Sequence, residues 1–131
     1  MEPVRAFYEA FGAGFQDAPT FATEDWNHIN PGGGRTQGIP AVLSEVHQVH
    51  STFLRGVSDK IVSSDVRYAG PETAIATVVS RTSPFAGPGD SFAYAHNQIR
   101  TFILVKRGAK WLVTQDQNTN VGGPPATAPG V

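Results

Sequence analysis

The sequence predicts an α+β domain in which three N-terminal helices pack on an antiparallel sheet. Three observations carry this expectation. Apolar residues recur at helical spacing only before residue 55. Four long β-patterned segments follow, separated by turn signals. No β–α–β alternation joins them, which argues against a parallel sheet.

Phe7, Phe11 and Phe15 recur every four residues and form one stripe on a helix that starts near Pro3, a residue accepted in a first helical turn. Asp17-Ala18-Pro19 ends that helix, and Pro19 to Ala22 is expected to form a short second helix. Trp26, His28 and Asn30 alternate as on a strand. Asn30-Pro31-Gly32-Gly33-Gly34 is a turn, and Arg35 to Gly38 returns as a short strand. The third helix runs from Gly38 to Leu54 on a stripe of Val42, Val46, Val49 and Phe53, with Gly56 beyond its C-terminus. The long strands are Lys60–Ala69, Thr73–Ser83, Ser91–Arg107 and Trp111–Thr119, the last two joined by a tight turn at Gly108. Residues 1–120 make one domain, and Val121 to Val131 has almost nothing to bury and is expected to be a flexible tail.

Composition narrows the function classes. The 131 residues are 40% hydrophobic and 16% charged, with a net charge of −1, so there is enough apolar material for a core and no basic footprint for nucleic acid. No apolar run approaches the roughly 20 residues that span a bilayer. The first residues carry no secretory pattern and cysteine is absent, which suits a cytoplasmic protein and removes thiolate chemistry. Walker, dinucleotide-binding and nucleophile-elbow motifs are missing, so no cofactor is expected. His47 and His50 are three apart, but no zinc-binding or facial-triad pattern accompanies them, so no metal is expected either.

Several features together resemble the nuclear transport factor 2-like (SnoaL-like) superfamily, and within it the SgcJ/EcaC-like branch, whose namesake is an accessory protein of enediyne biosynthesis. They are Trp26 before the glycine-rich turn and Gly38-Ile39 opening a helix that holds His47, His50 and Phe53 before Gly56. Arg100-Thr101 then leads into Ile103 to Lys106, Gly108 to Trp111 follows, and Gln117-Asn118-Thr119 closes the last strand. The resemblance extends from about Val4 to Thr119. It implies a cone-shaped α+β barrel with a strongly curved antiparallel sheet of the cystatin-like type. It also implies a pocket between sheet and helices, and a homodimer formed through the sheet.

With an interior pocket in view, candidate residues can be placed by face. His50 lies about 40° from Val46 around the helix and points inward, while His47 lies about 100° away at the margin. His50 is either a core histidine or a pocket-lining one; His47 reads as a half-exposed surface residue. Trp26, His28 and Asn30 share a strand face, and either line the pocket or serve as core filler and turn caps. On the long strand Tyr94, His96, Gln98 and Arg100 share a face of mixed aromatic and polar character. Arg100 suits either a ligand oxygen or a salt bridge to Asp65 or Asp116. Gln115 and Gln117 share a face of the last strand. The expected ligand-binding set is therefore Trp26, His28, Asn30, His50, Phe53, Tyr94, Gln98, Arg100, Gln115 and Gln117. Such an amide-rich lining favours a neutral polyoxygenated or polyene ligand.

For chemistry, Asp25, Asp65 and Asp116 are candidate bases and Tyr8, Tyr68 and Tyr94 candidate donors, but none sits in a motif shared with the isomerases of this superfamily. His28 and His50 are the candidate catalytic residues, because histidine titrates near neutral pH. The leading expectation is a pocket that binds a hydrophobic polyketide-derived, enediyne-type intermediate without covalent chemistry. The alternatives are a polyketide cyclase or isomerase with a pocket histidine as general acid/base, and a non-catalytic dimeric partner of a biosynthetic enzyme.

Overall fold

The computed structural model describes residues 1–15 and 19–128. The elements run α1 (Glu2–Gly12), β1 (Ala22–Ile29), β2 (Arg35–Gln37), α2 (Ile39–His50), β3 (Asp59–Gly70), β4 (Thr73–Thr82), β5 (Asn97–Arg107) and β6 (Lys110–Asn120). Six strands form one sheet in the order β2-β1-β6-β5-β4-β3, with the two helices on one face. The sheet is open, ending at β2 on one side and β3 on the other.

α1 begins with Pro3 in its first turn and buries Val4, Phe7, Tyr8 and Phe11. Phe7 stands edge-on to Phe15, Phe21, Trp26 and Phe102 and so ties the helix to three parts of the chain. The helix ends at Gly12, short of the expected end at Asp17-Ala18, which lies outside the described residues; Phe15 of the expected stripe sits beyond the helix with a φ of 52°. No helix forms over Pro19 to Ala22. Phe21 accepts a backbone hydrogen bond from Val113 at 2.7 Å and Ala22 already pairs with Val113 in the sheet, so the molecule has two helices, not three.

α2 starts after Gly38, whose φ of 90° turns the chain from strand into helix. It stops at His50, four residues before Leu54. The Ser51 and Thr52 hydroxyls donate to the Gln48 carbonyl, and the Leu54 amide bonds Val49 in place of His50. Val42 and Val46 face the core.

The sheet is mixed rather than purely antiparallel. β1 pairs with β2 as a hairpin but runs parallel to β6, since the two are far apart in sequence and no short turn constrains their direction. Ala74, Ala76 and Val78 on β4, Phe102 and Leu104 on β5 and Val113 on β6 form the floor of the core. Register shifts interrupt the β1–β6, β3–β4 and β5–β6 ladders. The one on β6 decides the site: Leu104 faces Val113 while the adjacent Ile103 faces Gln115, so Thr114 is an extra residue. Residues 121–128 form neither helix nor strand. No helix among the described residues is long and apolar enough to cross a membrane.

Candidate active site

A cavity of about 370 Å³ opens between α2, the 83–96 connection and the upper half of the sheet. One wall is apolar: Phe11 and Phe15 from the first segment, Val46, Val49, Phe53 and Leu54 from the second helix and its extension, and Phe85. The floor is polar and comes from three adjacent strands. β1 supplies His28, with Asn30 just beyond it; β5 supplies Gln98 and Arg100; β6 supplies Asn118 and Asn120. The sheet register sets these side by side, with Arg100 opposite Asn118 and Gln98 opposite Asn120.

Beneath that floor lies a buried charge network. Asp116 has no solvent exposure and receives three groups. Trp26 Nε1 donates to its Oδ1 at 2.8 Å, His28 Nδ1 meets the two carboxylate oxygens at 2.9 and 3.0 Å, and Arg100 Nε lies 3.4 Å from Oδ2. A carboxylate only accepts, so the hydrogen on His28 sits on Nδ1. That leaves Nε2, which has no partner among the described residues, as the ring nitrogen free to act as a base.

Arg100 is itself enclosed. Its guanidinium carbon lies 4.6 Å from the Phe7 ring centre, one nitrogen donates to the Tyr8 hydroxyl at 3.1 Å, and the same nitrogen lies 3.8 Å from Asp59 Oδ2. Burial raises the Asp59 carboxyl above the usual carboxylate range, opposed by the Arg100 charge and, less, by the nearby Ser80 hydroxyl, which is not in hydrogen-bonding geometry with it. Burial also raises the Tyr8 phenol, again with Arg100 opposing.

The expected site residues divide. His28, Asn30, His50, Phe53, Tyr94, Gln98 and Arg100 line the cavity. Trp26 lies under it, fully buried, as core filler that anchors Asp116. Asn30 combines both readings: its Oδ1 caps the turn by accepting from the Gly32 and Gly34 amides, and its Nδ2 donates to Glu45 at 3.0 Å. Gln115 and Gln117 fall outside the cavity lining because Thr114 shifts the alternation by one; Asp116, Asn118 and Asn120 take the inner face instead. Gln115 pairs with Asn27 at 3.2 Å. Of the two salt-bridge partners considered for Arg100, Asp116 is beside it and Asp65 is exposed on β3. Asp25 is held by Thr23 at 2.7 Å, and Tyr68 is 65% exposed, so neither reaches the site.

His50 stands edge-on to Phe11 with ring centres 4.6 Å apart, and burial, then the neighbouring His47, lowers its pKa. His47 is exposed and bonds the Phe15 carbonyl. Two lining residues, Phe85 and Asp90, arrive on a loop and carry no local signature; the expected strand from Ser91 begins only at Asn97, and His96 just before it stacks between Phe85 and Tyr94 at 4.0 Å from each. Among the described residues, no group of three or more His, Asp or Glu side chains is placed to hold a metal ion.

No protein-family model and no curated protein sequence matches the chain. Solved structures do. An uncharacterised protein with a cystatin-like fold from Caulobacter vibrioides aligns with a TM-score of 0.84 at 18% identity, covering 92% of this chain and 86% of that one. A ketosteroid isomerase-like protein from Erwinia carotovora atroseptica aligns at 0.71 and 17% identity, covering 93% of each chain. A candidate scytalone dehydratase from Novosphingobium aromaticivorans aligns at 0.74 and 11% identity, covering 92% and 80%. At such identities the likeness shows architecture alone. Two helices packed on a curved, open, mixed sheet, and these alignments, show that the chain has the cystatin-like, nuclear transport factor 2-like fold.

Proposed function

We propose that the protein is a cofactor-independent acid–base enzyme, a cyclase or isomerase, acting on a neutral polyketide-derived molecule with His28 as the general base. The observation that carries the reading is the His28–Asp116 pair at the polar floor of a cavity whose facing wall is apolar. Asp116 fixes the tautomer, so Nε2 presents its lone pair to the cavity and takes a proton from an acidic C–H of the ligand. The electron pair left on carbon is delocalised onto a neighbouring ligand oxygen. The imidazolium that forms is stabilised by Asp116 and returns the proton to another position or to the oxygen. An amphipathic neutral ligand suits the lining, because Arg100 is already held between two carboxylates and Glu45 is hydrogen-bonded to Asn30.

The apolar wall supports a second reading, in which the pocket only shelters an enediyne-type intermediate as a biosynthetic accessory of the SgcJ/EcaC-like kind. A homodimer through the outer face of the sheet and residence in the cytoplasm belong to both readings. The dimer has support in a partly exposed apolar strip where Ile75 lies opposite Ile103 and Val79 opposite Ile99. A non-catalytic dimeric partner of another enzyme would use the same strip.

Base-promoted ring opening of 5-nitrobenzisoxazole tests the choice without knowledge of the natural ligand, since it needs only a base beside an apolar pocket. The wild type is expected to accelerate it, and His28→Gln to lower the rate about 100-fold or more, while His50→Gln stays within about threefold. Retained binding of the neutral dye N-phenyl-1-naphthylamine shows that each variant keeps the pocket. No acceleration by the wild type, or an unchanged rate in His28→Gln, overturns the catalytic reading and leaves the accessory one.

A further inference from the structure

Asp59 takes no part in the reaction just described, yet its placement is unusual. It is the first residue of β3, its side chain has no exposure, and neither carboxylate oxygen has a hydrogen-bond partner among the described residues. A buried carboxylate left so poorly bonded weakens a fold. Its one strong neighbour is Arg100, 3.8 Å away, and Arg100 in turn touches Asp116, which holds His28. Four residues from four strands thus form one line of alternating charge that ends at the cavity: Asp59, Arg100, Asp116, His28.

Without Asp59, Arg100 and Asp116 would neutralise each other, and the carboxylate behind His28 would have little charge left to stabilise an imidazolium. With Asp59 ionised, the three buried groups carry a net charge of −1, and protonating His28 brings the line to zero. Resting on the reading of His28 as the base, we infer that Asp59 is a positioning residue: a remote carboxylate that shares Arg100 with Asp116 and thereby sets how readily His28 accepts a proton. The raised carboxyl of Asp59 agrees with a group kept at a cost to stability.

The other titratable or charged groups around His28 are few. From α1 Tyr8 reaches Arg100, and across the cavity stand Glu45 and His50 of α2 and Asp90 and His96 of the 83–96 loop. Apart from Tyr8, whose hydroxyl accepts from Arg100, none of them touches the line between Asp59 and Asp116.

Nuclear magnetic resonance of ring-labelled histidines tests the inference with no ligand present. The four histidines are followed from about pH 5 to about pH 9, with the His28 signals assigned by their loss in His28→Gln. In Asp59→Asn the midpoint of the His28 signals is expected about half a pH unit or more below the wild type, the size expected of one charge removed from a partly desolvated network. His47, exposed and outside the line, stays in place, and Asp59→Glu restores the His28 midpoint. A His28 midpoint unmoved in Asp59→Asn overturns the inference and makes Asp59 a structural residue. Should Asp59→Asn not fold, Asp59→Ser takes its place; failure of both to fold overturns the inference equally. Because the titration needs no turnover, its outcome is independent of the 5-nitrobenzisoxazole result: a shifted midpoint with no catalysis would remove the enzyme reading and leave the charge line standing.

Discussion

Two carboxylates flank Arg100, and replacing them by asparagine is predicted to have unlike effects: a clear loss of stability at Asp116 and none at Asp59. Asp116 accepts from Trp26 and His28 and lies beside Arg100, all within 3.4 Å and all buried. Asparagine has nearly the same shape but one acceptor oxygen and no charge: that oxygen can keep Trp26 and His28 only as weaker neutral acceptor bonds, and an amide NH2 then faces the buried Arg100 Nε, which is left unpaired on that side. Hydrogen bonds to a charged group contribute about 1.5–3 kcal/mol each, and a buried donor left unpaired costs about 1–3 kcal/mol. Asp116→Asn is therefore expected to lose about 2–4 kcal/mol. Asp59 has no hydrogen-bond partner and a carboxyl raised by burial, so its ionised form opposes folding. Asp59→Asn removes that cost while Arg100 keeps Asp116, and stability at pH 7 is expected unchanged or higher by about 1 kcal/mol.

The pH dependence follows from the sign of the shift. A carboxyl raised in the folded state holds its proton more tightly there than in the unfolded chain. Its stabilising contribution is full below the unfolded value of about 3.9 and is lost as pH rises through the folded value. The advantage of Asp59→Asn over the wild type should thus be absent near pH 3 and open above about pH 4. Urea unfolding followed by tryptophan fluorescence, repeated across that range, measures both variants. Equal destabilisation by the two substitutions, or an Asp116→Asn loss under about 0.5 kcal/mol, would refute the charge arrangement.

Three further outcomes are expected. Phe102 is fully buried and meets Phe7 and Tyr8 edge-on, so Phe102→Ala should lower unfolding free energy by about 3–5 kcal/mol in a urea titration. At Gly38 an added Cβ would meet nothing nearer than the Glu24 carbonyl at 3.8 Å, so Gly38→Ala should cost about 1–2 kcal/mol through its φ of 90° alone, and a smaller change would mean the helix start relaxes. His50 has a pKa lowered by burial, so the folded state prefers it neutral. Its stabilising contribution should be present above the unfolded value near 6.5 and shrink as pH falls towards the lower folded value. His50→Asn should flatten that part of the stability profile; a profile unchanged by the substitution contradicts the burial argument.

What the sequence makes legible follows from how local each determinant is. The stripe at Phe7 and Phe11 and the valines of α2 are periodic, so both helices can be read directly. On β5 the alternation from Gln98 to Leu104 is unbroken in the structure, and the face carrying Gln98 and Arg100 comes out as the pattern dictates. β6 defeats the same reasoning because one extra residue at Thr114 reverses the phase, and nothing in the residues 113–115 announces a bulge. Pro19 to Ala22 resembles a helix start, yet its backbone pairs with Val113, more than 90 positions later. The decisive pair is of the same kind: His28 and Asp116 are 88 residues apart, and only the parallel β1–β6 pairing, which local patterns do not encode, brings them together. Asp116 can be named from sequence as a base or as an arginine partner, but its role as the acceptor for Trp26, His28 and Arg100 together appears only in three dimensions.

The most direct measurement is a crystal structure of the protein as purified and again after soaking with N-phenyl-1-naphthylamine. A pocket that admits a neutral ligand onto His28 requires density inside the cavity, against Phe11, Phe53 and Phe85, with an edge in contact with His28 Nε2. A cavity filled by those phenylalanines, or a dye bound only elsewhere, would contradict it.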